Sequence, residues 1–235
     1  ALQLLQECDV VLYDRLVSDA VLERVRRDAE RIFVGKEYGS HRATQTYIHE
    51  LMLEHARRGR RVARLKGGDP MVFARGGEEL AVLAAAGIPV TVVPGVTAAL
   101  GAAAAAGIPL THRGISQAVT FVTAMGEAAA ALDWRALAAP LQTAVFYMGM
   151  TQLPQIIARL RAHGAPGGRA AAIVESATLA EERLVTGTLD DIVERSVQAQ
   201  VRAPALLIVG DVVLQAAGAP RHQPVESRAG EQEAE

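Results

Sequence analysis

Arg61-Val62-Ala63-Arg64-Leu65-Lys66-Gly67-Gly68-Asp69-Pro70 carries a short strand-like run straight into two glycines, an acid and a proline. A strand that opens into glycine at its carboxyl end is how an open α/β sheet presents a ligand site. The paired glycines let a ligand touch the backbone, and Asp69 offers a carboxylate to ribose hydroxyls or to a cation. Spacing alone leaves a plain turn, punctuated by Asp-Pro, equally open.

Outward from this stretch, β-type runs alternate with helical ones, which predicts a mostly parallel sheet with helices over both faces. The strand candidates on this side are Val10 to Tyr13, Arg31 to Val34, Arg61 to Leu65 and Val90 to Val93. Between them Ile48, Leu51, Met52 and His55/Ala56 recur at helical spacing, so a helix of about Thr44 to Arg58 presents one apolar stripe and ends at Gly59. After Arg113 the alternation restarts, with strands expected at Ala118 to Thr123, Thr143 to Tyr147, Ala170 to Val174 and Ala205 to Val209. Thr188 and Asp191 before Ile192 and Val193 resemble a capping box that starts the last helix. The polar turn His112 to Ser116 is the expected domain boundary, giving an N-terminal α/β domain over 1–113 and a C-terminal one over 114–217. From Gly218 to Glu235 there is almost no large apolar residue, and a disordered tail is expected over 218–235.

Bulk composition narrows the function. The 235 residues are 50% hydrophobic but only 4% aromatic, so the interior is filled by small aliphatic side chains, as close helix-on-sheet packing requires. A net charge of −2 provides no global field for a nucleic-acid backbone. The single cysteine, Cys8, excludes an internal disulfide and a Cys-rich zinc site; it reads as a small buried hydrophobe in a reducing compartment. Leu80 to Thr111 carries no charge, yet glycines and prolines interrupt it too often for a membrane span. Phosphate-cradle, zinc-hydrolase and nucleophile-elbow signatures are all missing, so no metal site is expected.

A second motif, Val93-Pro94-Gly95-Val96-Thr97-Ala98-Ala99, places Thr97 and Ala98 in the first turn of a small-residue helix. Unpaired first-turn amides there can meet a ligand's polar edge, and small side chains leave room for a flat ring, although ordinary helix initiation is the better reading of this motif taken singly. Gly107-Ile108-Pro109-Leu110-Thr111-His112-Arg113 then ends the apolar run with a basic pair. Lys36, His41, Arg42, Lys66, Arg75, His112 and Arg113 together form a set of cations that suits an acidic small molecule, or a merely solvated linker in the case of the last two.

Taken together, Tyr13-Asp14-Arg15-Leu16, Val34-Gly35-Lys36, Lys66 to Pro70 with Arg75-Gly76-Gly77-Glu78-Glu79, and Pro94 to Arg113 resemble the uroporphyrinogen-III C-methyltransferases of the tetrapyrrole methylase family. Phe146-Tyr147-Met148-Gly149, Thr186-Gly187-Thr188-Leu189 and Ala203-Pro204-Ala205-Leu206 are similar to the family's second domain, and the likeness covers about Ala1 to Val213. The resemblance implies a two-domain α/β fold, mostly parallel in the first sheet and mixed in the second. It implies a cytoplasmic homodimer with S-adenosylmethionine held in the cleft between domains and S-adenosylhomocysteine as product. On this basis the donor is expected to meet Gly67, Gly68, Asp69, Val72, Thr97, Ala98, Met148 and Ala177. Asp14 is expected to be the proton acceptor and Lys36 the proton donor. The implied reaction methylates uroporphyrinogen III at C2 and C7 to precorrin-2, for sirohaem or cobalamin, with no nucleic acid or membrane as partner.

The chain departs from the family at three places. The family opens with a strand and a glycine-rich loop, and this chain is expected to be a fragment that begins after them. Thr123-Ala124-Met125 stands where relatives tend to have Thr-Gly-His, and Ala177-Thr178 where they have Gly-Thr. Alternatives are a sister activity on a later corrin precursor, the related fold acting on ribosomal RNA, or a non-catalytic module of a larger sirohaem synthase.

Overall fold

Val10-Val11-Leu12-Tyr13 is apolar at successive positions, which suits a strand covered on both faces rather than one with a wet side. In the computed structural model, which describes residues 1–35, 44–124, 129 and 131–216, this run is β1 (Val10–Tyr13), the central strand of a three-stranded sheet. Its neighbours are β2 (Glu30–Phe33) and β3 (Val62–Leu65), both parallel to it, with Leu12 opposite Ile32 and Arg64. Alternate side chains enter separate cores. Val11 packs with Leu5, Cys8, Val25 and Ala29, whereas Val10 and Leu12 pack with Val34, Ile48 and Met52.

Leu5 belongs to α1 (Leu2–Glu7), while Val25 and Ala29 follow α2 (Asp19–Leu22). Ile48 and Met52 come from α3 (Gln45–Arg57), whose first turn is capped by the Thr44 hydroxyl accepting from the Tyr47 amide at 3.3 Å. Burying each of these two side chains contributes about 1.5–3 kcal/mol, enough to hold the helix on the sheet. Gly59, at φ 76°, turns the chain away after it. Two short helices follow, α4 (Gly76–Ala85), whose second half opens the uncharged run, and α5 (Ala98–Ala106), which lies wholly within it. No helix among the described residues is long and apolar enough to cross a membrane.

Residues 90–93 are a correction to the sequence reading: they form no strand. Alternating hydrophobicity is only half of a strand. No described strand pairs with this segment, and Val90 and Val92 are exposed.

The chain divides into two compact units, Ala1–Thr97 and Ala98–Glu235. The second unit contains β4 (Ala118–Thr123), α6 (Trp134–Ala138), β5 (Gln142–Tyr147), α7 (Leu153–Ala162), β6 (Ala170–Glu175), β7 (Arg183–Thr188), α8 (Ile192–Gln198) and β8 (Ala205–Val209). The sheet order is β4-β5-β8-β6-β7; β4 and β5 run parallel, and the other pairs are antiparallel. On one face Trp134 stacks on Phe146 at 6.1 Å between centroids, with Leu137, Ile156, Leu160 and Ile192 around them. Helix α5 packs against β8, and its Ala99, Ala102, Ala103 and Ala106 are buried. Alanine lets such a helix approach closely.

Strand β7 escaped the sequence reading, because Thr186-Gly187-Thr188 breaks the apolar alternation that marks a strand. Thr188 and Asp191 form half of the expected box: Asp191 Oδ1 accepts from the Thr188 amide at 2.7 Å. The Thr188 hydroxyl donates to the same oxygen instead of capping the helix. Cys8 is buried as expected, and that burial pushes its thiol pKa up. The expected tail lies outside the described residues.

Candidate functional site

Three loops meet at the carboxyl ends of β1 and β3 in the first unit, and glycine is what lets them touch. A Cβ on Gly67 would lie 2.7 Å from the Leu16 carbonyl oxygen, so the loop after β3 rests directly on the loop after β1. Gly68 adopts φ 90°, and a Cβ on Gly95 would collide with the Gly68 carbonyl. The segment before Thr97 is thereby drawn against the same turn.

Asp69 fastens that contact. Its Oδ2 accepts from the Gly95 amide at 3.0 Å and its Oδ1 from the Met71 amide at 2.8 Å. These backbone donors, Gly95 first, hold its pKa below the ordinary carboxylate value. The side chain expected to offer a free carboxylate to a ribose is thus already engaged as a loop staple. Val72 is half-buried beside it, its amide 3.4 Å from the Asp69 carbonyl. Gly67 and Gly68 are exposed, and Thr97 is buried. Gly67, Gly68, Asp69, Val72 and the chain leading to Thr97 therefore form one group.

Asp14 stands immediately after β1 in the same region. Its Oδ1 accepts from the Leu16 amide at 3.0 Å, and its Oδ2 accepts from Arg64 Nη2 at 3.1 Å. Tyr13 and Phe33 meet edge-to-face at 5.6 Å between centroids, forming an apolar wall at the tips of β1 and β2. Lys36, with His41 and Arg42, lies outside the described residues.

The set of cations needs a correction at Lys66. Its Nζ is turned inward, donating to the Ala74 carbonyl at 2.7 Å and to Glu79 Oε1 at 3.0 Å, and the side chain is 8% exposed. Burial, with Arg64 adding to it, lowers the Lys66 pKa against the opposing pull of Glu79. A lysine so enclosed cannot also meet a solvent-borne carboxylate. Arg75 remains exposed and pairs with Glu78. In the second unit His112 and Arg113 are exposed too.

The second unit gathers its own group. Strands β5 and β6 are both antiparallel to β8, so their carboxyl ends share one edge of the sheet. Met148 follows β5 with φ 53° and is exposed; Ala177 follows β6 between Ser176 at φ 49° and Thr178 at φ 70°. Left-handed backbone at residues other than glycine is costly and clusters at functional sites. The first turn of α5 joins this edge: the Ala99 amide donates to the Tyr147 hydroxyl at 3.0 Å, and Gly101 faces Thr178. The chain neighbours of Ala98, Met148 and Ala177 therefore meet at this edge.

Two features of these edges left no clear trace in the sequence. The Thr123 hydroxyl, at the tip of β4 and opposite Tyr147, is buried without a hydrogen-bond partner among the described residues. The Arg64–Glu79 pair, at 3.3 Å, backs Asp14 from beneath. Arg64 sits at an ordinary strand position and Glu79 at an ordinary helix position, and only the register of β3 against β1 reveals their purpose.

Comparison with known proteins adds the following. The family model described as Tetrapyrrole (Corrin/Porphyrin) Methylases matches residues 1–193. Siroheme synthase 1 of Aeromonas hydrophila is 54% identical over 213 residues, which are 90% of this chain and 46% of that protein. The chain spans about half the length of the curated relatives it matches. The crystal structure of uroporphyrin-III C-methyl transferase from Thermus thermophilus, complexed with S-adenyl homocysteine, is 41% identical with a TM-score of 0.76, covering 91% of this chain and 90% of that one. A cobalamin biosynthetic enzyme, cobalt precorrin-4 methyltransferase, gives 0.80 at 27% identity, covering 90% and 87%.

Proposed function

The chain belongs to the tetrapyrrole methylases, and from that premise we propose that it is an S-adenosylmethionine-dependent methyltransferase acting on uroporphyrinogen III. The reaction we assign is methylation at C2 and C7, giving precorrin-2 and S-adenosylhomocysteine. It serves sirohaem or cobalamin synthesis in the cytoplasm, and the active form is a homodimer. The observation that carries this reading is the convergence of Asp14 with the Gly67-Gly68 turn at the carboxyl ends of β1 and β3.

The residues fit a sulfonium donor. The exposed Gly67-Gly68 turn offers backbone with no side chain over it, and the small first turn of α5 leaves space for a flat ring. Gly67, Gly68, Asp69, Val72 and Thr97 of the first unit, with Ala98, Met148 and Ala177 of the second, are the residues we assign to holding it. When bound, the donor supplies an electrophilic methyl group. Rate then comes mainly from alignment of the pyrrole carbon, the methyl and the sulfur along one line. As the new carbon–carbon bond forms, positive charge spreads over the pyrrole, and Asp14 offsets that charge or accepts the ring proton. Lys36 is assigned the return of a proton. The Asp69 staple acts earlier, by holding the Gly95 and Met71 amides and with them the shape of the donor turn.

Incubation with methyl-labelled donor and uroporphyrinogen III tests the assignment. Two labelled methyl groups on the tetrapyrrole are expected. Donor binding without transfer to this substrate, but with transfer to a later corrin precursor, replaces the substrate and keeps the chemistry; the likeness to the cobalt precorrin-4 enzyme makes that comparison the informative control.

A further inference from the structure

Beneath Asp14 lies an arrangement of charges that the donor turn does not require. Glu79, in the first turn of α4, is 7% exposed at its side chain, and its Oε1 accepts from three donors: Lys66 Nζ at 3.0 Å, Gln45 Nε2 at 3.0 Å and Arg64 Nε at 3.3 Å. Arg64 is itself only 13% exposed. Its Nη1 donates to the carbonyls of Leu12 and Leu65, at 3.3 and 2.7 Å, and its Nη2 to Asp14 Oδ2 at 3.1 Å. Every nitrogen of the guanidinium is therefore committed, and the plane of the fork is fixed at both ends by carboxylates.

A purely structural ion pair closes on itself. Burying charge costs several kcal/mol per ion, and that cost is offset when each charge meets an opposite one. Lys66 and Glu79 already balance, so Arg64 is left as the surplus cation, and the acid that balances it is the most exposed of the four at 26%. The chain of contacts runs outward, from a buried anchor to a carboxylate at the strand tip. Around the anchor, α3 contributes only neutral Gln45 and, against Gln45, His49 Nε2 at 3.1 Å; α4 contributes Glu79, and β3 with its following residue contributes Arg64 and Lys66.

We propose that Glu79 is a positioning residue for the Asp14 carboxylate, acting through the guanidinium of Arg64. The proposal rests on the reading of Asp14 as the group that serves the reacting carbon. Glu79 never touches substrate. It fixes the azimuth of the Arg64 fork, and the fork holds Asp14 Oδ2 while the Leu16 amide holds Oδ1, so the two donors together set the orientation of the carboxylate. Arginine suits this relay because its fork is rigid and binds carboxylates at two ends, which a lysine ammonium does not.

Glu79→Gln tests it. The substitution keeps the volume and an acceptor oxygen but replaces an ion pair with a bond from the same cation to a neutral amide, which loosens the hold on the Arg64 fork. The expected result is a fall in kcat of about tenfold, with KM for substrate and affinity for S-adenosylhomocysteine changed by less than about twofold. In an Asp14→Asn background the same change leaves the residual rate alone, because the group it positions is gone. Equal fold losses in both backgrounds overturn the proposal and return Glu79 to a structural role.

A second readout does not depend on turnover. In protein labelled with 13C at aspartate carboxyls, the Asp14 resonance, assigned by its loss in Asp14→Asn, is expected to move in Glu79→Gln and to stay still when Glu79→Gln is added to Arg64→Met. A resonance that ignores Glu79, or that responds equally without Arg64, overturns the proposal. If Glu79→Gln does not fold, Glu79→Asp keeps the charge, withdraws the oxygen by one methylene, and is expected to give the same pattern. Wild-type protein that methylates no uroporphyrinogen III while the resonances behave as stated removes the substrate reading and leaves the positioning role standing.

Discussion

Gly67→Ala puts the closure of the first unit's loops under direct stress. The added Cβ lies 2.7 Å from the Leu16 carbonyl oxygen and 2.8 Å from Leu16 Cβ, inside the distance that real Cβ atoms keep. Leu16 has little freedom to retreat, since its amide is bonded to Asp14 Oδ1 at 3.0 Å and the Val17 amide to the Asp14 carbonyl at 3.2 Å. Overpacking of this kind costs about 1–3 kcal/mol. Alanine also restricts the unfolded chain, which returns about 0.4–1 kcal/mol, so the net loss lies between about 0 and 2.6 kcal/mol and centres near about 1.3 kcal/mol. Gly77 in α4 is the matched control: nothing lies within 4 Å of its added Cβ, and Gly77→Ala is expected to gain about 0.4–1 kcal/mol. Two substitutions of identical chemistry thus move in opposite directions. Native-state hydrogen exchange at the amides of β1 reads the first unit directly. Tryptophan fluorescence does not, because Trp134 belongs to the second unit. Protection of Val11 to Tyr13 is expected to fall in Gly67→Ala and to hold or rise in Gly77→Ala. Unchanged protection in Gly67→Ala refutes the argument, because it means that the loops after β1 and β3 are not in backbone contact.

Three further outcomes follow from the same geometry. Asp69→Asn replaces one of two accepting oxygens with a donor facing an amide, so affinity for S-adenosylhomocysteine by calorimetry is expected to fall. Because the folded-state pKa of Asp69 is depressed, its contribution to stability is present above the unfolded carboxylate value and lost as pH drops through the folded one; the variant should lose that part of the acid dependence, and an unaltered acid limb counts against the staple. Thr178→Gly relieves a left-handed threonine at φ 70°, a strain of about 1–3 kcal/mol, less about 0.4–1 kcal/mol for the looser unfolded chain, so urea unfolding followed at Trp134 should show a gain of roughly 1 kcal/mol; a loss would mean that the strain is absent. Cys8, with its thiol pKa raised by burial, should resist alkylation near neutral pH until the chain is unfolded, and rapid labelling of the native protein would contradict the packing of Leu5, Val11 and Val25 over it.

What could be read from sequence follows from what each element needs. β1 was legible because a strand buried on both faces is written in consecutive apolar residues, and α3 because Ile48 and Met52 fall on one stripe. The segment 90–93 was misread because a strand also needs a partner, which no single stretch of sequence reports. β7 was missed for the opposite reason: β6 supplies its ladder although Gly187 interrupts its pattern. At the site, paired glycines marked the turn at Gly67-Gly68 but left a plain turn equally open, and it is the contact of Gly67 with Leu16 that shows the close approach. Direction was not legible. Lys66 looked like a cation at a strand tip, and nothing local says that it points inward; that depends on Glu79, thirteen residues later and on a different element. The left-handed tips at Met148, Ser176 and Thr178 were equally silent, because none of them is glycine.

The inward turn of Lys66 changes how the first unit can meet an acidic ligand. With that ammonium committed, one exposed cation of the same loop is Arg75, itself left-handed at φ 60° and held by Glu78 through Nε at 2.8 Å and Nη2 at 2.6 Å. The pair is more than half exposed on both sides, and such surface pairs contribute only about 0–1 kcal/mol. A ligand carboxylate can therefore displace Glu78 at small cost and inherit the same two-pronged geometry. Glu79, one residue on, cannot be displaced in this way: it is buried, and three donors depend on one of its oxygens. Adjacent glutamates on one helix turn thus have opposite exchangeability, the outer one yielding to solvent-borne anions and the inner one fixed by its burial and its three donors.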